Sequence, residues 1–158
     1  MAVQLDEIDV RLLKELQVDS DRPNVELARL VGLSPAATLN RVKRLKRQGV
    51  IRAIQARLDS ATAGLTLQVY VLVTLGRHDE AAERRFAQEI RSLDHVISAD
   101  SVAGETDAIL MIATRDVGEL QLVLSRLSTR GGAQRLITLL RLGELKPSSP
   151  LPLTATRR

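Results

Sequence analysis

Apolar residues recur at helical spacing near the start of the chain, and this pattern predicts short helices. The first helix should run over residues 5–16, with Asp6 as its N-terminal cap. Its inward stripe consists of Ile8, Leu12, Leu13 and Leu16. A second helix should begin at Asn24, whose side-chain oxygen can cap it, and end at Gly32, which can adopt a left-handed conformation. The apolar stripe of that helix comprises Leu27, Leu30 and Val31.

A third helix should follow at once, because Ser34 supplies a hydroxyl cap and Pro35 suits the first helical position. Its inward residues are Thr38, Val42 and Leu45. Its opposite face carries Ala36, Asn40, Lys43 and Arg47, with Ala37 and Arg44 on the flank. Two helices joined by a short turn that contains glycine form a helix-turn-helix, whose second helix lies in the major groove of DNA. The first helix of the chain should close a small core beneath this pair.

Beyond Gly49 the pattern changes from helical spacing to alternation. Apolar and polar residues alternate over residues 50–59, which predicts an extended wing or linker strand. The first part of the chain is therefore predicted to be a winged helix-turn-helix.

From residue 65 onward, strands and helices should follow one another in the order β-α-β-β-α-β. The predicted strands cover residues 65–75, 95–103, 107–114 and 133–144. One helix should begin at Asp79 and end near Ser92, and another should begin at Asp116, with Glu119 completing a capping signal. The inward residues of this last helix are Val117, Leu120, Val123 and Leu127. The order is that of a ferredoxin-like domain.

The fold class is thus predicted to be α+β, with two domains. The expected divisions are residues 1–59 for the helix-turn-helix with its wing, 60–64 for a linker, 65–147 for the βαββαβ domain and 148–158 for a tail. The tail is rich in Ser, Thr and Pro, so we expect it to be mobile except where residues 151–153 add a short strand.

Two helices on a four-stranded sheet can cover only one of its faces. Ile109, Leu110, Met111 and Ile112 are nevertheless apolar in succession, so their strand has apolar side chains on both faces. An uncovered apolar face indicates a partner, and we expect that partner to be a second copy of this chain.

Positive charge is concentrated on the predicted helix-turn-helix and the segment after it. Eight basic residues and no acidic residue lie between Leu27 and Leu58, although the whole chain has 23 basic and 19 acidic residues. Such a concentration is typical of a surface that binds nucleic-acid phosphates. A solvated basic face is the alternative, but the caps, the turn glycine and the inward stripe favour double-stranded DNA as the partner.

The predicted DNA-binding residues are Ser34, Ala36, Ala37, Asn40, Arg41, Lys43, Arg44, Arg47 and Arg52. The N-terminal half of the recognition helix should approach base edges, because Asn40 can pair with adenine and alanine can contact a thymine methyl group. Lys43, Arg44 and Arg47 should hold phosphates. Arg41 flanks the buried stripe, so it has a structural alternative in which its head pairs with an acid of the first helix.

Composition argues against several other functions. Tyr70 and Phe86 are the only aromatic residues, so no aromatic platform is available for single-stranded nucleic acid. The chain has no cysteine, no apolar run of membrane-spanning length and no signal-peptide pattern. His78 and His95 lack the spacing of a metal site. We therefore expect a cytoplasmic protein with no cofactor, no membrane partner and no enzyme active site.

Three segments give the chain a resemblance to a known family. They are the opening LDEIDVRLLKELQVDSDRPNVELARLVGLS, the stretch RVKRLKRQGVI, and GETD at residues 104–107. With them the chain resembles the Lrp/AsnC (leucine-responsive, feast/famine) family of bacterial and archaeal transcription regulators. The resemblance implies an N-terminal domain that binds DNA and a C-terminal domain that dimerises, often assembles to an octamer, and in many members binds amino acids between dimers.

The resemblance also implies an effector site. The family's glycine-to-aspartate loop maps onto Gly104, Glu105, Thr106 and Asp107, with Thr138 as a further ligand group. Family members often carry bulky residues within and just after this loop, whereas this chain has Thr106 and Ala108, and Leu136 stands where a threonine is common. A pocket of this kind should favour a small polar or aliphatic amino acid. The alternative is that the loop only shapes a β-hairpin turn.

The pattern leaves two other functions open. One is an architectural protein that coats DNA without responding to a ligand, and the other is a small ferredoxin-like enzyme. Discrete, spaced half-sites in a footprint favour a regulator, whereas continuous protection favours a coat.

Overall fold

The computed structural model describes residues 3–77 and 79–155, and the chain divides into two compact units. The first unit runs to Ala56 and also takes in the chain from Lys146 onward, and the second runs from Arg57 to Leu145. The helices of the first unit are α1 (Glu7–Val18), α2 (Asn24–Val31) and α3 (Pro35–Arg47). The elements of the second unit are β1 (Leu67–Leu75), α4 (Glu80–Arg91), β2 (Val96–Ser101), β3 (Ala108–Thr114), α5 (Val117–Thr129) and β4 (Ala133–Leu140).

The three helices of the first unit pack around a small aliphatic core. Its buried side chains are Leu12, Leu13, Leu27, Val31 and Leu45. At the start of α1 the Asp6 side chain accepts a hydrogen bond from the Asp9 N–H, and the Asp9 side chain accepts one from the Asp6 N–H. These reciprocal bonds satisfy two backbone donors at the helix start, so the predicted cap at Asp6 is confirmed.

The turn between α2 and α3 has the predicted geometry. Gly32 has a φ of 73°, and α3 begins with the Ser34 hydroxyl accepting a hydrogen bond from the Ala37 N–H. The cap predicted at Asn24 is wrong, because α2 has no side-chain cap. Asn24 Nδ2 donates instead to the carbonyl oxygen of Pro35 over 2.8 Å, and so ties the start of α2 to the start of α3.

The wing strand predicted for residues 50–59 is not present in this segment. Its sequence alternates as a strand does, but a strand also needs a neighbour to pair with, and the one sheet formed by the described residues lies elsewhere. Val50 and Ile51 pack against the helix-turn-helix core, whereas Ile54 and Leu58 are exposed.

The end of the chain returns to the first unit. Leu153 packs against the helix-turn-helix core. Gln17 of α1 holds the backbone of Leu151, since its Oε1 accepts from the N–H at 2.6 Å and its Nε2 donates to the carbonyl at 3.5 Å. The added strand predicted at residues 151–153 is wrong, because one leucine side chain and one glutamine amide make these contacts rather than a strand ladder.

The second unit has the predicted βαββαβ order, so the ferredoxin-like fold is confirmed. Its sheet is antiparallel throughout, with the strands in the order β2-β3-β1-β4. The two helices pack on one face over a core that includes Val69, Val71, Val73, Phe86, Leu110, Ile112, Val123 and Leu127. Alternate residues of β1 are buried, as the period of two in a strand requires.

Both helices of this unit begin at the predicted aspartates. Asp79 and Asp116 each accept a hydrogen bond from the backbone N–H three residues further on, at 2.8 and 2.9 Å. Val117, predicted to face inward, is instead 61% exposed. It occupies the first helical position, before the turn of α5 that reaches the sheet.

Two predicted boundaries shift. β4 ends at Leu140 rather than at residue 144, because its ladder with β1 ends where Leu140 pairs with Val69. Residues 60–64, predicted as a linker, form a turn within the second unit. There the Thr62 N–H donates to Asp59 Oδ1 over 2.6 Å.

The sheet face away from the helices is apolar, as predicted. The strand register puts Tyr70, Leu72, Ile109, Met111, Ile137 and Leu139 on this face. Tyr70 pairs with Met111 on one side and with Leu139 on the other, so the six side chains form one patch, which we call the open-face patch. Tyr70 and Leu139 are 39% and 47% exposed.

Candidate DNA-binding surface and effector loop

The outward face of α3 carries most of the predicted DNA-binding residues. Ser34, Ala36, Asn40, Lys43 and Arg47 are exposed, and Ala37 is half-buried. Residues three or four apart share a helix face, so Asn40, Lys43 and Arg47 lie side by side. These three side chains have no hydrogen-bond or ionic partner among the residues that the structure describes.

Two other basic residues of α3 bind acids of α1. Arg41 Nη1 donates to Asp6 over 2.7 Å and to Asp9 over 2.8 Å, which is the pairing considered for it from the sequence. Arg44 Nη2 lies 2.5 Å from both carboxylate oxygens of Asp9, which is only 1% exposed. Arg44, which the sequence predicts to hold a phosphate, thus has its Nη2 bound to a buried carboxylate, and its side chain is 39% exposed.

The contacts of this cluster shift two pKa values in opposite directions. The hydrogen bond with Asp6 raises the pKa of Arg41, and it outweighs the lowering effect of burial. Burial alone would raise the pKa of Asp6, but hydrogen bonds from Arg41 and from the Asp9 N–H hold it below its ordinary value. Both shifts favour the charged forms, so the cluster is a network of ion pairs at neutral pH.

Arg52, the last predicted DNA-binding residue, does not share the face of α3. It is exposed in the extended segment after that helix. It contributes to the wall of a cavity of about 760 Å³ within the first unit, which Leu16, Ile54 and Leu153 also line.

The loop between β2 and β3 contains the predicted effector residues. Gly104 has a φ of 143°, in a region that side chains rarely adopt. The Asp107 N–H donates to the carbonyl of Val73 over 2.8 Å, and Asp107 Oδ2 accepts from the N–H of Leu75 over 2.7 Å. Asp107 therefore attaches the hairpin to the end of β1, whatever else it binds.

A cavity of about 600 Å³ lies beside this loop, between α4 and β2. Its wall includes Glu83, Phe86, Arg91, Asp100 and Asp107. Gly104, Glu105 and Thr106 are not part of that wall. Thr138 pairs with Val71 on the β4 side of β1, whereas β3 and the loop lie on its other side. A single chain does not bring Thr138 together with Asp107.

The described residues form neither a metal site nor a membrane-spanning helix. Over residues 3–77 and 79–155, no three His, Cys, Asp or Glu side chains come together as a metal site would require. His95 Nε2 lies 3.5 Å from Glu119 Oε2. His78 lies outside the described residues. No helix in the described part of the chain is long and apolar enough to cross a membrane.

Comparison with known proteins assigns both units. Residues 5–46 match the model of the AsnC-type helix-turn-helix domain, and residues 68–151, more than half of the chain, match that of the Lrp/AsnC ligand binding domain. The chain belongs to the Lrp/AsnC family. It is a DNA-binding transcription regulator of the Lrp/AsnC type, with the ligand-binding domain of that family in its second unit.

Individual relatives agree with this assignment over nearly the whole chain. The HTH-type transcriptional regulator AldR of Mycolicibacterium smegmatis is 36% identical over 151 residues, which cover 95% of this chain and 88% of that protein. The leucine-responsive regulatory protein of Escherichia coli is 34% identical over 148 residues, covering 93% and 90%.

Solved structures of Lrp/AsnC type share the fold. A transcriptional regulator from Neisseria meningitidis in complex with L-methionine has a TM-score of 0.85 and 33% identity, over 94% of this chain and 96% of that one. The feast or famine regulatory protein of Mycobacterium tuberculosis complexed with L-methionine has a TM-score of 0.82 and 30% identity, over 90% and 95%.

Sequence reasoning missed Asp9, the acid that organises this Lrp/AsnC recognition helix. The signal for it was present, because Asp9 falls within the apolar stripe of α1, one position after Ile8 and three before Leu12. An acid on a buried face requires a cationic partner. Gln17 was also missed, since its role depends on residues more than a hundred positions away.

Proposed function

We propose that this regulator reads DNA with the outward face of α3. Ala36, Ala37 and Asn40 approach base edges, while Lys43 and Arg47 hold phosphates on either side. Ser34, just before α3, and Arg52, in the segment after it, add contacts to the DNA backbone. The observation that carries the proposal is the exposure of Asn40, Lys43 and Arg47 on one helix face without partners among the described residues.

Binding-site selection followed by mutation tests the base contacts. Asn40→Ala should weaken binding to the selected site by about 5- to 150-fold, because a bidentate pair with adenine discriminates by about 1–3 kcal/mol. Binding to random DNA should change little. The control is Gln48→Ala, which removes an exposed amide just after α3. An equal loss on selected and random DNA for Asn40→Ala would remove the assignment.

We propose that the open-face patch joins two copies of the chain, with further assembly to an octamer of four dimers. Support comes from the continuity of the patch and from the exposure of Tyr70 and Leu139 at its centre and edge. A two-fold dimer should recognise a pseudo-palindromic operator whose half-sites lie about 10 base pairs apart or a multiple of that.

Charge substitution tests this assembly. Leu139→Lys puts an ammonium group into the patch and should yield a monomer with reduced operator affinity, as measured by sedimentation and DNA titration. Leu122→Lys is the matched control, because Leu122 is 69% exposed on α5, away from the patch. A wild-type monomer at micromolar concentration would contradict the proposal.

We also propose that an amino acid modulates DNA binding from the loop of residues 104–107. Structural relatives from Neisseria meningitidis and Mycobacterium tuberculosis are complexes with L-methionine, which supports this class of effector. Asp107 offers a carboxylate for the ammonium group, and Gly104 allows a carboxylate to approach backbone N–H groups. Thr138 can contribute only from a neighbouring chain. The small Thr106 and Ala108 favour a small polar or aliphatic amino acid.

Calorimetry with each of the twenty amino acids, at millimolar concentration, identifies the effector. Asp107→Asn should abolish the heat of binding and the effect of the amino acid on operator affinity, while DNA binding without ligand stays unchanged. Asparagine keeps an oxygen that can accept from the Leu75 N–H, so the hairpin is preserved. Asp100→Asn, at the wall of the neighbouring cavity, is the control. No heat with any amino acid would mean that the loop is only a turn.

In this proposal the chain acts in the cytoplasm, as a regulator with no chemical step of its own. The relatives named above are regulators, not enzymes. A footprint on the DNA that the protein selects distinguishes regulation from coating. Regulation should protect discrete spaced half-sites, whereas coating should protect DNA continuously.

A further inference from the structure

The buried acid Asp9 holds two of the five basic side chains of the recognition helix. It is the only acidic residue in the described chain that is buried, at 1% exposure. One of its oxygens accepts from Arg41 over 2.8 Å, and both accept from Arg44 over 2.5 Å. Because Arg41 and Arg44 are three residues apart on α3, one carboxylate can hold both.

The remaining basic residues of α3 are in a different state. Lys43, Lys46 and Arg47 are exposed and have no acidic partner within 4 Å among the described residues. Arg44, by contrast, is 39% exposed along its side chain, but its Nη2 is bound to Asp9 and its Nε is buried without a hydrogen bond. The recognition helix thus carries two guanidinium groups that are bound to acids of α1 and three cations without an acidic partner among the described residues.

This division has a consequence for DNA binding. A cation contributes to the affinity for any sequence when it displaces a counterion from a phosphate. A guanidinium that is bound to a buried carboxylate can do so only by giving up that ion pair, which leaves the buried charge of Asp9 with fewer hydrogen bonds. Each withheld contact lowers the affinity for random DNA roughly eightfold at 0.1 M salt, from a salt slope of about 0.9 per phosphate.

We propose that Asp9 is a specificity-determining positioning residue, which withholds Arg41 and Arg44 from DNA phosphates and so limits binding to random sequence. It acts through the two arginines and touches no DNA itself. The inference rests on the proposed binding of DNA by the outward face of α3. A purely structural role, in which Asp9 only joins α1 to α3, makes a different prediction for salt dependence.

The salt slope of DNA binding, measured on the full-length chain, separates the two roles. Structural loosening changes affinity by the same factor at every salt concentration, whereas a phosphate contact changes the slope. Arg47→Gln should reduce the slope by about 0.9, and Arg44→Gln should leave it unchanged. Arg130→Gln, which removes the same charge from the end of α5, controls for net charge.

Release of the arginines is the converse experiment. Asp9→Asn should steepen the slope by about 0.9 to 1.8 and strengthen binding to random DNA roughly 8- to 60-fold at 0.1 M salt. Asp6→Asn frees no more than a share of Arg41, because Asp6 is half exposed and does not touch Arg44. Its effect on the slope should be smaller. Adding Arg44→Gln to Asp9→Asn should reverse about half of the increase.

The outcomes distinguish the inference from the proposed function. If Arg44→Gln reduces the slope as much as Arg47→Gln does, Arg44 already binds a phosphate and the inference is overturned. If Arg47→Gln leaves the slope unchanged, the assignment of the α3 face to DNA fails instead. Circular dichroism checks that Asp9→Asn folds, and if it does not, the comparison of Arg44→Gln with Arg47→Gln still decides the question.

Discussion

The two units of this regulator differ in what holds them together. The described core of the helix-turn-helix unit contains five buried apolar side chains, whereas that of the sheet unit contains thirteen, so the first unit has less hydrophobic stabilisation. The smaller unit also relies on ion pairs between α1 and α3 and on the returning end of the chain. The sheet unit relies on long-range strand pairing. The unit that contacts DNA therefore has the smaller core, which ion pairs and the returning end of the chain supplement.

Removal of one core leucine from each unit should give the largest effects. Leu45→Ala and Leu110→Ala both truncate side chains with 0% exposure, so each should cost about 2–5 kcal/mol in its own unit. Calorimetry should show that Leu45→Ala lowers only the transition of the helix-turn-helix unit and that Leu110→Ala lowers only that of the sheet unit. A single transition that both variants shift equally would contradict the separation of the units.

The contribution of the chain end should be smaller. Leu153 is partly buried against the helix-turn-helix core, so Leu153→Ala should destabilise that unit by about 1–2 kcal/mol. This is at least half of the free energy gained by burying a leucine side chain completely. Leu151→Ala is the matched control, because its side chain is 68% exposed and Gln17 binds only its backbone. Chemical denaturation followed by helical circular dichroism measures both. Equal effects of the two variants would mean that the tail does not pack as described.

Loss of a helix cap should cost about 1 kcal/mol in either unit. Ser34→Ala removes the oxygen that accepts from the Ala37 N–H, and Asp116→Ala removes the one that accepts from the Glu119 N–H. Because caps act locally, the two costs should be similar although the cores differ in size. Melting curves of both variants make the comparison, and a cost several times larger in one unit would show that its cap does more than end a helix.

Acid should destabilise the helix-turn-helix unit through Asp6. This should be the smallest of the four effects on stability predicted here. The pKa of Asp6 lies below its ordinary value of 3.8 in the folded state, so its contribution to stability is complete above that value and is lost as the pH falls through the folded pKa. The melting temperature of the helix-turn-helix unit should therefore fall less steeply in Asp6→Asn than in the wild type between about pH 5 and pH 2. Glu119→Gln should act likewise on the sheet unit only, since a hydrogen bond from Arg115 lowers the pKa of Glu119. If the stability of Asp6→Asn depended on pH as steeply as that of the wild type, the ion pair between Asp6 and Arg41 would be contradicted.

Local signals in the sequence were sufficient for much of this structure. Asp6, Gly32, Ser34 and Asp116 act within a few residues of their own position, and each was predicted correctly. The failures depend on distant partners. Asn24 has the residue type of a helix cap, but its side chain binds the carbonyl group of Pro35 instead. Residues 50–59 have the alternation of a strand, but no described strand pairs with them.

The functional surface divides in the same way. The exposed face of α3 follows from helical periodicity, and the sequence therefore identified Asn40, Lys43 and Arg47 as outward residues. The commitment of Arg44 to Asp9 could not be read from α3 alone, because the two residues are 35 positions apart. The family resemblance placed the proposed effector loop at Gly104 and Asp107, but the separation of Thr138 from Asp107 required the strand order.

The return of the chain end to the first unit also constrains synthesis of the protein. The helices of that unit leave the ribosome before the sheet unit, yet the 89 residues from Arg57 to Leu145 must be made before Leu153 can reach them. At about 5–20 residues per second this takes roughly 5–20 s. During that interval the nascent helix-turn-helix exposes the apolar surface that Leu153 later covers. The DNA-binding unit therefore leaves the ribosome before the sheet unit but cannot be completed until Leu153 has emerged.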